Sequence, residues 1–309
     1  MSEICEVTVN NLCRTPIAGL RPEPLEQLTI ASNGLFGNGE YMLVDTAQSN
    51  ERGAPCIDTK GENLLASFEP KLLDDVLYVT WLPTTEGNCI PQTADTPEHL
   101  VLVRTPHWSG MAVDQGDEAA DIFTRHLTDA DGVRLVRISE HDKRHTLDDP
   151  FLNRIGFLGK YPLSIVAQSS LDQINEWLAE DGRPAVTAHE LGISMIVDSP
   201  ELEPFRECEL GRIVLCNANN QPAAQLLHIV PRMQGTVTDL SSGDRVHHTL
   251  IDHGRSAYSK HHFSDSRTAL KTLLGAHFHI DPLGRDASVV AVGQSLEIQS
   301  FTRRLRTSV

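Results

Sequence analysis

The stretch "PRMQGTVTDLSSGD", Pro231–Asp244, reads as a strand closed by a turn of Ser, Ser, Gly and Asp. Those are residues that bend a backbone by local hydrogen bonding or by lacking a Cβ. Nothing in it is a strong nucleophile. Runs of the same kind recur along the chain. "ICEVTV", "EQLTIA", "EYMLVD", "NLLASF" and "VLYVTWL" fill most of the first 80 residues, with Gly, Asn and Pro between them. "PTTEGNCIPQTADTPEH", residues 83–99, reads as a loop or domain edge, and "LVLVRT" resumes a strand. Short β-rich runs bounded by turn residues predict strands.

Two segments break this pattern. In "GDEAADIFTRHLTDADG", residues 116–132, Ala119, Ile122, Phe123 and Leu127 recur at helical spacing. In "SSLDQINEWLAEDG", residues 169–182, Leu171, Ile174 and Leu178 line one face, Ser169 or Ser170 can cap the start and Gly182 can end it. "VRLVRI", "GISMIVD", "RIVLCN", "QLLHIVP", "AHFHID" and "SLEIQS" predict further strands, and "TALKTLL" a short helix. The fold class is therefore mixed α/β and β-dominated.

The 26 Lys and Arg against 42 Asp and Glu give a net charge of −16. Such a surface repels phosphate backbones, so nucleic acid is excluded as a default partner. The start of the chain has no basic, apolar leader pattern, and no apolar run reaches the ~18 residues that cross a bilayer. The six cysteines form no C-x-x-C pair, which fits free thiols in a reducing cytosol. The expected setting is cytoplasmic, without a membrane, with a small-molecule ligand or a protein as partner.

Taken in order, several segments resemble the MOSC family, the domains found at the C-terminus of molybdenum cofactor sulfurases and in the amidoxime-reducing component. They are "RTPIAGLRPEPLEQLTI" (14–30), "GLFGNGEYMLVD" (34–45), "VDQGDEAADIFTRHLTDADGVRLVRI" (113–138), "YPLSIVAQSSLDQIN" (161–175), "LGISMIVDSPELEPF" (191–205), "PRMQGTVTDLSSG" (231–243) and "LGAHFHIDPLGRDASVVAVGQSLEI" (274–298). The resemblance implies a MOSC-type β-barrel with peripheral helices over residues 111–309. It also implies an N-terminal β-barrel-like subdomain over 1–110. It carries with it an oxidoreductase or sulfur-transfer chemistry on a molybdenum–molybdopterin cofactor.

A dianionic phosphate and a metal dithiolene need cationic and hydrogen-bonding partners and a nearby thiolate. This chain departs from the family at those positions. Ala18 stands where the family has Lys, and Gly37-Asn38-Gly39 where it has Gly-Asp-Arg. Gly192, Ile193 and Ser194 replace Arg-Pro-Asn, and Arg232-Met233 replaces Arg-Cys, in a register set by Thr236, Asp239 and Gly243. Ser170, Arg232, Met233 and Thr236 are the cofactor-facing positions that the resemblance assigns. Met cannot carry a persulfide, and the lost cations remove charge-assisted contacts worth ~1.5–3 kcal/mol each.

Histidine is frequent, at 14 residues. His277, His279 and Asp281 stand at i, i+2 and i+4, positions that share one face of a strand. Such a set can hold Fe, Zn or Mn, and His253 or His262 could add a ligand. "SEHDKRH" (139–145) reads as a solvated charged loop and "FTRRLRT" (301–307) as a short basic patch. Three readings follow: a divergent molybdenum-cofactor protein, a metal-dependent enzyme built on the same barrel, and a non-catalytic binding or scaffold protein.

Overall fold

The computed structural model describes residues 5–31, 34–57, 63–74, 76–105, 108–127, 132–141, 156–157, 163–180, 182–188, 190–216, 221–233, 273–282 and 288–301. The first part of the chain holds strands β1 (Cys5–Arg14), β2 (Ile17–Ala18), β3 (Glu23–Leu25), β4 (Gln27–Ala31), β5 (Gly34–Leu35), β6 (Tyr41–Asp45), β7 (Ala54–Pro55), β8 (Phe68–Leu73), β9 (Val76–Trp81) and β10 (Glu86–Pro91). The hairpin β11 (Leu100–Thr105) and β12 (Trp108–Asp114) leads into α1 (Asp117–Thr124) and β13 (Val133–Ile138). Then come β14 (Leu163–Ala167), α2 (Gln168–Glu180), β15 (Met195–Asp198), β16 (Leu210–Cys216), β17 (Pro222–Met233), β18 (Leu273–Pro282), β19 (Ser288–Ala291) and β20 (Ser295–Phe301). The fold is mixed α/β and β-dominated.

The described chain divides into two compact units, one of residues 1–13, 24–36 and 161–309, the other of 14–23 and 37–160. The division is interleaved, whereas the sequence suggests a single boundary at 110/111. Gly110 lies inside the β11–β12 hairpin, opposite Val103, and a hairpin paired along its whole length does not come apart at its middle.

In the first unit the sheet runs β15-β14-β18-β17-β16-β20-β1-β3. Strand β15 pairs both with β14, in parallel, and with β1, antiparallel through Thr8↔Asp198 and Leu12↔Met195. That second pairing closes seven of the strands into a barrel, which removes their free edges. A parallel neighbour requires a crossover, and α2 supplies it between β14 and β15. The buried Leu171, Ile174 and Leu178 of α2 belong to the same core as Leu163, Ile165, Ile196, Phe278 and Ile298. Gly182 ends the helix at φ +68°, with Arg183 N–H returning to the Leu178 carbonyl.

In the second unit a six-stranded sheet runs β2-β6-β13-β12-β11-β7. Strand β6, "YMLVD", is buried at every position, because both faces of this sheet are covered. Tyr41, Leu43, Val133 and Leu135 share one core with Phe68, Leu77 and Val79 of the β10-β9-β8 sheet and with Ile122 and Phe123 of α1. Met42, Val44, Val136 and Ile138 form the opposite core with Phe157. His126 stacks on Trp81 at 4.1 Å between ring centres.

Three local expectations change. Residues 63–67 form a 3-10 helix rather than a strand, and pairing starts only at Phe68. Glu86–Pro91, read as loop, is an edge strand on β9. Its Pro91 stands at the last position, where a missing N–H costs no inner ladder bond. Leu273 and Leu274, read as the end of a short helix, are strand, with Leu273 opposite Met233. No helix among the described residues is long and apolar enough to cross a membrane.

Candidate functional site

The first turn of α2 follows β14 directly, so Ser170 is a residue of the helix and not its cap. The turn of the helix aims Ser170 inward, and it has no solvent exposure. Its Oγ donates to Glu207 Oε2 at 2.7 Å and accepts the backbone N–H of Phe205 at 2.6 Å. Glu207 is also sealed from solvent. Ser169, the other candidate cap, donates its hydroxyl to the Leu202 carbonyl at 2.6 Å.

Phe205 explains how the carboxylate reaches this place. It has φ +65°, ψ +14°, a left-handed conformation that costs a non-glycine residue ~1–2 kcal/mol. The bend turns the chain into the short 3-10 helix Arg206–Glu209 that carries Glu207. The Phe205 ring stacks on Trp177 of α2 at 5.5 Å, and its N–H is held by Ser170. Backbone strain of this kind persists where surrounding contacts over-determine it. The outcome is an internal carboxylate one hydrogen bond from the N-terminal turn of a 13-residue helix. That end of a helix attracts acceptor groups, and here the chain supplies the acceptor itself.

The other positions assigned through the MOSC resemblance are likewise used locally. Asn38 Oδ1 accepts the Thr15 N–H at 2.8 Å, and Gly39 donates its N–H to the Thr15 carbonyl at 2.7 Å. Gly37 and Gly39 lie at φ +73° and +63°. Ala18 packs against the core around Phe157 and Trp108. Gly192 turns the chain at φ +60°, and Ile193 is core. Ser194 N–H donates to Ser164 Oγ at 3.1 Å, and the Ser194 carbonyl accepts the Cys13 N–H at 2.9 Å. No cation, and no open hydroxyl, stands at any of these described positions. They do not fit a molybdopterin phosphate.

Arg232 and Met233 end β17, and only the placement of their backbone is described. Thr236 lies outside the described residues, as do His253 and His262 and most of the two charged segments. Of "SEHDKRH", Ser139 donates its hydroxyl to Asp95 and Glu140 its N–H to the same carboxylate. This anchors the start of the segment to Asp95, where free solvation was expected. His277, His279 and Asp281 take alternate positions of β18, opposite Ser164 and Val230, Leu227, and Gln225. The positions between them, Phe278 and Ile280, are core. The side chains of the three lie outside the described residues. Among the described residues no group of three or more His, Cys, Asp or Glu is placed to hold a metal ion.

Cys13 is buried on β1, and burial pushes its thiol up to about 12, which makes it a poor nucleophile. Glu207 escaped the sequence reading altogether. It sits in an ordinary acidic stretch, "ELEPFRECEL", and only the fold sets it against Ser170.

No protein-family model matches the chain, and no curated protein matches it. Among solved structures, the YUAD protein from Bacillus subtilis is similar over 96% of this chain and 97% of its own, at 11% identity and a TM-score of 0.34.

Proposed function

We propose that this chain is a divergent MOSC-like barrel that does not hold molybdopterin and serves as a non-catalytic binding protein. The observation that carries this reading is the pair of Ser170 and Glu207. The resemblance puts a phosphate-facing serine at Ser170, and here that hydroxyl is spent on a buried carboxylate. A phosphate would find the hydroxyl donor it needs already committed to an internal acceptor. The test is elemental and pterin analysis of protein purified from a host that makes the cofactor. Molybdenum well below one atom per chain, with no pterin, is expected; stoichiometric molybdenum with pterin overturns the reading.

A second reading rests on the alternate placement of His277, His279 and Asp281 along β18. It makes the chain a metal-dependent enzyme of the Fe, Zn or Mn type. The same elemental analysis separates it. Near-stoichiometric Fe, Zn or Mn that is lost in His277→Ala and His279→Ala favours it, and metal-free protein removes it.

A further inference from the structure

Arg137 extends the core-facing row of β13 behind Val133 and Leu135, yet it is a cation. It is 4% exposed. A guanidinium has five donors, and buried ones are normally all met. Here Nη2 reaches the Thr93 carbonyl at a long 3.3 Å. Nη1 stands 4.0 Å from Glu40 Oε1, an ion pair without a hydrogen bond. Nε is sealed from solvent and has no hydrogen-bond partner. A buried cation left this short of acceptors is strongly destabilising unless something outside the chain serves it.

The surroundings bear on what that is. The Glu40 side chain is 25% exposed, so the guanidinium lies directly beneath a partly open carboxylate. Gln115, itself buried, accepts the Thr93 N–H and holds the 93 segment beside the arginine. Asp95, two residues further on, is fastened to Ser139. Glu40 beside the guanidinium penalises a dianion more than a monoanion. Arginine pairs best with a planar two-oxygen acceptor.

We propose that Arg137 anchors a site for a small carboxylate, with Glu40 as the internal competitor that an incoming carboxylate displaces. The site lies wholly within the second unit and does not depend on the barrel reading above.

The test uses the full chain and acetate as the probe, with chloride at matched ionic strength as control, read as the thermal midpoint. Acetate is expected to raise the midpoint saturably beyond chloride. Glu40→Gln should lower the half-saturating acetate concentration by about two- to fivefold, the worth of a partly exposed ion pair. Arg137→Met should abolish the acetate response. If Arg137→Met fails to fold, the wild type and Glu40→Gln decide alone. Equal responses to acetate and chloride in the wild type mean that water serves the guanidinium, and they overturn the proposal. So does a Glu40→Gln chain with unchanged acetate dependence.

Discussion

Ser170 and Glu207, 37 residues apart in sequence, form a hydroxyl–carboxylate pair from which solvent is excluded on both sides. The same Oγ fixes the N–H of Phe205, so a single atom ties the first turn of α2 to a strained bend and to a buried acid side chain. Ser170→Ala removes a donor from the carboxylate and an acceptor from the amide. Each loss inside a sealed site costs about 1–3 kcal/mol. Urea unfolding of Ser170→Ala should show stability lowered by at least the cost of one such loss, about 1–3 kcal/mol, as a lower midpoint with an unchanged slope. Ser169→Ala, whose hydroxyl is only partly buried, should lose less. A Ser170→Ala chain within ~0.5 kcal/mol of wild type, the usual spread of surface changes, would show that the pair contributes nothing.

The Arg14–Glu23 pair is a buried ion pair. Arg14 Nε donates to Glu23 Oε2 at 2.6 Å, the same oxygen accepts the Leu72 N–H at 3.3 Å, and Arg14 Nη2 donates to the Leu72 carbonyl. Removing one partner leaves the other charge stranded, at a cost of about 3–5 kcal/mol. Replacing both with apolar groups is far cheaper. Glu23→Ala should therefore destabilise the chain more than the double change Arg14→Met with Glu23→Leu. A double variant at least as unstable as Glu23→Ala would contradict this.

How far the sequence carries can be judged residue by residue. Helix α2 was legible because its stability is local. Leu171, Ile174 and Leu178 repeat on one face, and Gly182 supplies the left-handed stop. The β-dominated class was legible for a similar reason, since alternation and turn residues act over a few positions. Strand β10 was hidden because Gly87 and Pro91 weaken the local preference, and pairing with β9 overrides it. The closure of the barrel depends on β1 meeting β15, and the interleaved units depend on where such pairings fall. No local pattern encodes either. Glu207 was invisible because burial of an acid is decided by the chain folded around it.

Cys13 gives the protein an alkaline weakness. In the folded chain burial raises its thiol to about 12, whereas an unfolded thiol ionises near about 8.5. Above the lower value the folded state holds a proton that the unfolded state has released. Stability present below that point is therefore lost as pH rises toward the folded value. Cys13→Ala should flatten this alkaline decline relative to wild type. At pH 8 iodoacetamide should modify the exposed Cys89 in folded protein and reach Cys13 only after unfolding. Alkylation of Cys13 at the rate of Cys89 in folded protein would contradict the burial.

The turn at Gly37-Asn38-Gly39 shows what a cation placed there would meet. Gly39 has φ +63° and is held at both ends, by its own N–H on the Thr15 carbonyl and by the Phe157 N–H on its carbonyl. Gly156, next to Phe157, is packed so closely that a Cβ would come within 2.3 Å of the Asn38 carbonyl oxygen. Gly39→Arg must place a branched backbone position in the left-handed region, at ~1–2 kcal/mol, while keeping both bonds. It should lower stability by about that amount and leave the protein folded. Gly156→Ala meets backbone atoms that cannot step aside, so it should cost more than Gly39→Arg. Unfolding curves of the two variants give the comparison directly. If Gly39→Arg matches wild type, the left-handed turn is not what excludes a cation there.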